Sequence, residues 1–109
     1  MGTPQLTDNG RIVKLDLHGA TVDEAIDMTY NTLRLARERG RSRLKLVHGS
    51  STTAPGKRTI KSALHDLLDR GELGAHATNV IRSQNTLVLA LDLTASGDPT
   101  RIRLRDVQP

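Results

Sequence analysis

Apolar residues recur along this chain with two different periods, and the places where the period changes mark its elements. In residues 12–18, Val13, Leu15 and Leu17 share one face while Lys14, Asp16 and His18 share the other, the pattern of a strand with one buried face. From residue 22 the spacing becomes helical. Val22, Ala25, Ile26, Tyr30, Leu33 and Ala36 fall on one stripe. They predict a helix that starts at an N-cap on Thr21, closes a capping box with Glu24, and runs to about Arg39, where Gly40 caps it. Residues 43–47 alternate again as a second strand, and the intervening helix makes the two strands parallel neighbours joined by a right-handed crossover. Ile60, Ala63, Leu64, Leu67 and Leu68 predict a second helix over residues 57–70, ended by Gly71. Residues 75–82 form a weaker strand candidate, and residues 86–93 a stronger one whose two apolar faces suit the middle of a sheet.

The two ends are less strongly patterned. Residues 1–10 read as a weakly ordered tail, although Asp8-Asn9-Gly10 is a turn signal able to start a hairpin into the first strand. After a turn at residues 96–99, Arg101, Arg103 and Arg105 alternate with Ile102 and Leu104 as in an edge strand, where the charges would either guard the edge or bind a polyanion. The whole reads as an α/β two-layer sandwich in the order β-α-β-α-β-β, its first two strands parallel, with a C-terminal edge strand as an addition. The corresponding division is a tail at 1–10, a domain at 11–94, and a turn with an edge strand at 95–109.

Composition narrows the chemistry. A chain of 109 residues without Phe or Trp, and with Tyr30 as its single aromatic of that class, supports one modest aliphatic core to which Tyr30 is assigned. The absence of cysteine excludes disulfides, a thiol nucleophile and thiolate metal sites. No apolar run approaches the roughly 20 residues that span a bilayer, and the N-terminus lacks a secretory core, so a cytoplasmic monomer with no membrane contact is the default. The net charge of +4 suits a polyanion. Its cations cluster between Arg34 and Lys45, at Lys57, Arg58 and Lys61, and again near the C-terminus, and each cluster reads equally well as solvated surface.

Asp16 and His18 project from one strand face about 7 Å apart at the backbone. A carboxylate so placed can fix an imidazole's tautomer, favour its charged form, or share a cation with it. The plainer alternative has Asp16 capping the next helix and His18 bonding a loop. The second strand also ends in His-Gly, at His48 and Gly49. Parallel strands carry both turns to the carboxyl edge of the sheet, where open α/β sheets place ligands, so His48 is expected within reach of Asp16 and His18. Two imidazoles and a carboxylate suit acid–base cleavage of a phosphodiester, or partial ligation of a divalent ion. His65 and His76 lack this setting and read as surface residues. Residues 49–57 are not a P-loop, because six residues separate Gly49 from Gly56 and Arg58 follows Lys57. What remains is a helix start whose amides and two cations suit a phosphate, or ordinary first-turn residues.

The compound pattern LDLHG at 15–19, TVDEA at 21–25, KLVHG at 45–49 and GKRTIKSALHDLL at 56–68 resembles the small MutS-related (Smr) domain, over residues 11–93. The resemblance implies the sandwich described above and nucleic-acid binding, with nicking or branched-DNA cleavage in many members and RNA cleavage in some. It places catalysis on Asp16 and His18, and nucleic-acid contact or support of catalysis on His48 and Gly49. The expected site is therefore Asp16, His18 and His48 as catalytic groups, with Gly19, Gly49, Ser50, Ser51, Lys57, Arg58 and Lys61 on the nucleic acid. Any metal, Mg²⁺ or Mn²⁺, falls to Asp16 and His18. DNA is the first expectation and RNA the second. Ser51 stands where the family motif has its second glycine, and Ser83-Gln84-Asn85-Thr86 replaces a glycine-rich run, which leaves a binding module without catalysis as the alternative.

Overall fold

The computed structural model describes residues 4–48, 59–71, 73, 77–91 and 100–108. Its elements follow the order β1 (Gln5–Asp8), β2 (Ile12–Asp16), α1 (Val22–Glu38), β3 (Arg43–Val47), α2 (Ile60–Asp69), β4 (Ala77–Arg82), β5 (Thr86–Leu91) and α3 (Leu104–Val107). They form one five-stranded sheet in the order β1-β2-β3-β5-β4, with β2 and β3 parallel and the other neighbours antiparallel. Alternation decides the layering. Val13, Leu15, Leu17, Leu44, Leu46, Leu87, Leu89 and Leu91 lie on one face, buried in one cluster with Ala25, Met28, Leu33 and Ala36 of α1 and Leu64, Leu67 and Leu68 of α2. The residues between them, such as Lys14, Asp16, Lys45, Val47 and Val88, turn to the opposite face and stay exposed or half-buried. This is the expected two-layer α/β arrangement. Among the described residues no helix is long and apolar enough to cross a membrane.

The helix boundaries follow their caps. Thr21 Oγ1 accepts from the Glu24 N–H at 3.1 Å and Glu24 Oε1 accepts from the Thr21 N–H at 2.9 Å, the reciprocal box expected of this spacing. At the far end the C-cap is Arg39, and Gly40 follows it at φ 70°. The Gly40 and Arg41 amides donate back to Arg37 and Ala36 at 3.2 and 2.8 Å, a paired closure that requires a left-handed residue at Gly40. α2 begins later than expected, because Thr59 is its N-cap and shares a second box with Ser62.

Three expectations need correction. Residues 5–8 are not tail but strand β1, in antiparallel register with β2 from Gln5↔Asp16 to Asp8↔Val13. The hairpin signal at Asp8-Asn9-Gly10 was therefore the better guide. The C-terminal edge strand is absent: residues 101–103 are irregular and 104–107 form a helical turn, with Ile102 and Val107 buried at 2% and 0% exposure. Its alternation is too short to fix a period, and β1 already occupies the sheet edge beside β2. Tyr30 is not core but 37% exposed, since the buried stripe of α1 runs through Met28, Thr29 and Thr32. Thr32 tolerates burial because its hydroxyl donates to the Met28 carbonyl at 2.6 Å. The turn expected at 96–99 and His76 lie outside the described residues.

Arg41, counted above with a surface cluster, is 1% exposed. Its Nε donates to Asp8 Oδ1 and Oδ2 at 2.8 and 3.1 Å, its Nη1 to the Arg39 carbonyl at 2.9 Å, and its Nη2 to the Thr100 carbonyl at 2.8 Å. Asp8 in turn accepts from the amides of Gly10 and Ile102, both at 2.8 Å. One ion pair thus ties the β1–β2 turn, the α1–β3 turn and the C-terminal segment together.

Candidate active site

The first motif builds a rigid strand end. Asp16, the last residue of β2, pairs with Val47 of β3, and the Leu17 N–H extends the ladder to the Val47 carbonyl at 2.9 Å. Leu17 is fully buried and anchors the turn from below. Beyond it the chain must reverse into α1. Gly19 does this at φ 86°, and the Ala20 N–H returns to the Leu17 carbonyl at 3.1 Å. A side chain is strained at that φ, so Gly19→Ala is expected to lower stability by about 1–2 kcal/mol in urea denaturation. An unchanged midpoint would show that the turn does not depend on glycine.

The polar face of the same turn carries the candidate groups Asp16 and His18. Asp16 Oδ1 accepts from the His18 N–H at 3.0 Å and lies 2.6 Å from His18 Nδ1. Partial burial pushes the Asp16 carboxyl up, but the two His18 contacts and the nearby charges of His18 and Lys14 more than reverse this and hold it below its usual range. The carboxylate is therefore ionised at neutral pH and acts only as an acceptor, which makes His18 Nδ1 the donor and leaves Nε2 as the free lone pair of the neutral ring. Both side chains reach solvent, at 54% exposure for His18 and 31% for Asp16. A shallow depression of about 80 Å³ beside them is lined by Gln5, Thr7, Lys14 and Asp16.

The second motif meets the first along the backbone and not through its ring. The His48 N–H donates to the Asn85 carbonyl at 3.0 Å, which fixes the end of β3 against the β4–β5 turn. By strand alternation His48 shares the face of Leu44 and Leu46, whereas Asp16 lies on the opposite face. His48 is 6% exposed, and its ring meets His65 of α2 edge-on, with centroids 5.8 Å apart and planes at 80°. Burial, aided by the charges of Arg82, His48 and Lys61 against that of Asp69, lowers the His65 pKa and keeps its ring neutral. The strand ends thus share one rim while the imidazole of His18 goes to Asp16 and that of His48 to α2.

Lys61, on the first turn of α2, belongs to the His48–His65 side of the sheet. Gly49, Ser50, Ser51, Lys57 and Arg58 lie outside the described residues. Three neighbours were given no part in the site from sequence, and His65, read there as a surface residue, is instead half-buried against His48. His65 sits at the margin of the α2 stripe, and periodicity does not say which margin faces β3. Lys14 and Lys45 pair across β2 and β3 on the open face that leads to Asp16. The signal for Lys14 was present in its place two residues before Asp16 on one strand face.

A divalent cation finds a poor donor set here. Among the described residues no group of three His, Asp or Glu side chains converges, and Asp16 Oδ1 already takes two contacts from His18. Mg²⁺ and Mn²⁺ favour several oxygen ligands, so these residues do not fit a resident ion.

The model of the Smr domain family matches residues 15–84 of this chain. Among solved structures, the chain is similar to the Smr domain of Thermus thermophilus MutS2, at 27% identity and a TM-score of 0.56, over 72% of this chain and 96% of that one. No curated protein matches. With the family pattern running from the end of β2 through α1 and α2 to the β4–β5 turn, the chain belongs to the Smr domain family, a family of nucleic-acid-binding and nuclease-associated domains.

Proposed function

We propose that this chain binds a nucleic-acid strand against the open face of its sheet and cleaves a phosphodiester at the rim, with His18 as general base. The observation that carries this reading is the 2.6 Å contact between His18 Nδ1 and an ionised, solvent-reaching Asp16. Asp16 fixes the tautomer, Nε2 takes a proton from the attacking hydroxyl, and the carboxylate stabilises the imidazolium that forms. Lys14 and Lys45 meet phosphates on the approach. His48 holds the rim through its backbone bond to Asn85, apart from the reacting atoms.

The donor set also bears on the substrate. Because the described carboxylates and imidazoles do not suit a cation that would activate water, the easier nucleophile is one already beside the phosphate, the ribose 2′-hydroxyl. The 2′-oxygen attacks phosphorus, its proton passes to His18 Nε2, and the 5′-oxygen leaves with a proton from solvent. This puts RNA first and DNA nicking, with water as nucleophile, second. The test is cleavage of end-labelled single-stranded RNA and of supercoiled plasmid in excess chelator. RNA cleavage is expected to end in a 2′,3′-cyclic phosphate and to fall by about 10²–10⁴-fold in His18→Ala. Equal rates in wild type and His18→Ala would sink the assignment.

A second reading, binding without cleavage, is favoured by the position of His48, since the second imidazole of an acid–base pair does not stand beside His18. It predicts no product from either substrate and binding that weakens with salt. Replacing both Lys14 and Lys45 by Ala would then lower the magnitude of the log–log salt slope by roughly 1–2.

A further inference from the structure

On the outer side of α1, a half-open pocket of about 350 Å³ is lined by Tyr30, Asn31, Leu33, Arg34 and Arg37. Four features of it point to a ligand. Arg37 is half-buried, and its Nε is shielded without a hydrogen-bond partner, a donor left unsatisfied until the side chain turns it to an acceptor. Among the described residues that line it, none is acidic. The nearest carboxylate in sequence, Glu38, sits 3.6 Å from Arg34 in a well-exposed pair that solvent screens, so Arg34 can turn to a stronger partner. Tyr30, the one residue of the Phe, Trp and Tyr class in the chain, is 37% exposed and lines this pocket. Asn31 is held in place by its bond to the Val107 carbonyl at 3.0 Å, which braces this stretch of α1 against α3.

From these features we infer that the pocket is a binding site for a phosphate monoester carrying a planar ring, a nucleoside monophosphate. Arg37 and Arg34, one helical turn apart, take the phosphate oxygens, and guanidinium groups suit that role by their planar paired donors. The Tyr30 ring packs on the base. A volume of this size lies within the usual range for small-molecule sites. Arg37 lies sixteen positions beyond the N-cap Thr21, about 24 Å along the axis of α1, so this site is distinct from the Asp16–His18 rim and does not depend on the cleavage reading. The same chemistry can come from a free mononucleotide or from the phosphorylated end of a strand.

The test is an amide-detected NMR titration of the full chain with adenosine monophosphate, beside inorganic phosphate, adenosine, and a short oligonucleotide with and without a 5′-phosphate. Saturable shifts are expected at Tyr30, Arg34 and Arg37 with the monophosphate, weaker ones with phosphate, and none with adenosine. Saturation by the monophosphate assigns the free nucleotide; saturation by the 5′-phosphorylated oligonucleotide alone assigns the strand end. Arg37→Gln is expected to weaken binding by on the order of tenfold or more, and Arg37→Lys, which keeps the charge but not the Nε–H, by several-fold. Tyr30→Ala, at a half-exposed position, serves as the second variant and is expected to bring the monophosphate down to the affinity of phosphate. Shifts confined to Asp16, His18 and their neighbours, no saturable shift with any phosphorylated ligand, or undiminished binding in both Arg37→Gln and Tyr30→Ala would overturn the assignment.

Discussion

Arg41→Met is expected to lower the free energy of unfolding by about 3–5 kcal/mol, a large share of what holds a domain of this size together. The loss does not come from the ion pair's attraction alone. Removing the guanidinium leaves the Asp8 carboxylate, whose side chain is 0% exposed, without its counter-charge in a place water does not reach. It also strips a donor from each of the Arg39 and Thr100 carbonyls. The double variant Asp8→Leu/Arg41→Met removes both charges and is expected to recover part of the loss. Recovery stays incomplete because the Gly10 and Ile102 amides then lack their acceptor. Urea denaturation of the three proteins settles the matter, and a single variant within 1 kcal/mol of wild type would mean that the pair is not the clasp described here.

The same pair sets an acid limit. Burial pushes the Asp8 carboxyl up, while the Arg41 side chain, the Ile102 and Gly10 amides and the charge of Arg41 outweigh it, so the folded-state value lies below the unfolded one. A depressed carboxyl contributes its full stability above the unfolded value, near 4, and loses it as pH falls through the folded value. Asp16 and Glu24 are shifted in the same direction, Glu24 through the Thr21 backbone N–H. Stability should therefore be level through neutral pH and decline below about pH 4. The decline should be shallower in the Asp8→Leu/Arg41→Met protein.

Where the pattern was long enough to fix a period, the sequence was a sufficient guide. Val13 and Leu15, Leu44 and Leu46, and the strong strand at Thr86–Leu91 lie in the elements expected of them, as does α1 between its capping box and Gly40. The failures share a cause. Arg41 and Asp8 look like surface charge because burial of a paired ion leaves no periodic trace, and their partners are remote in sequence, as far as Ile102. Arg101 to Arg105 alternates over too few residues to tell a strand from an irregular segment. At the site, the carboxyl-edge rule brought the two His-Gly turns to one rim, as Leu17 and His48 show through their backbone bonds. It could not say to which face each ring turns, because His18 has left the strand and follows Asp16, whereas His48 still obeys the alternation of β3.

Asp16→Ala should reduce any cleavage by about 10²–10⁴-fold, while Asp16→Asn should cost markedly less, because here the His18 amide pins the oxygen that faces the ring. The difference follows from a detail of the contact. The His18 amide and the His18 ring both address one oxygen, Oδ1. An asparagine carbonyl placed there still accepts both, so the loop conformation and the Nδ1–H tautomer survive and Nε2 remains a base. What asparagine loses is the negative charge that stabilises the imidazolium after proton transfer. Alanine loses the charge, the tautomer lock and the bond that holds the His18 backbone. Rates in the order Asp, Asn, Ala, with the Asn protein retaining wild-type stability, therefore separate the positional from the electrostatic contribution of Asp16. Asparagine as damaging as alanine would mean that charge, and not orientation, is the essential part; alanine as active as wild type would remove Asp16 from the reaction altogether.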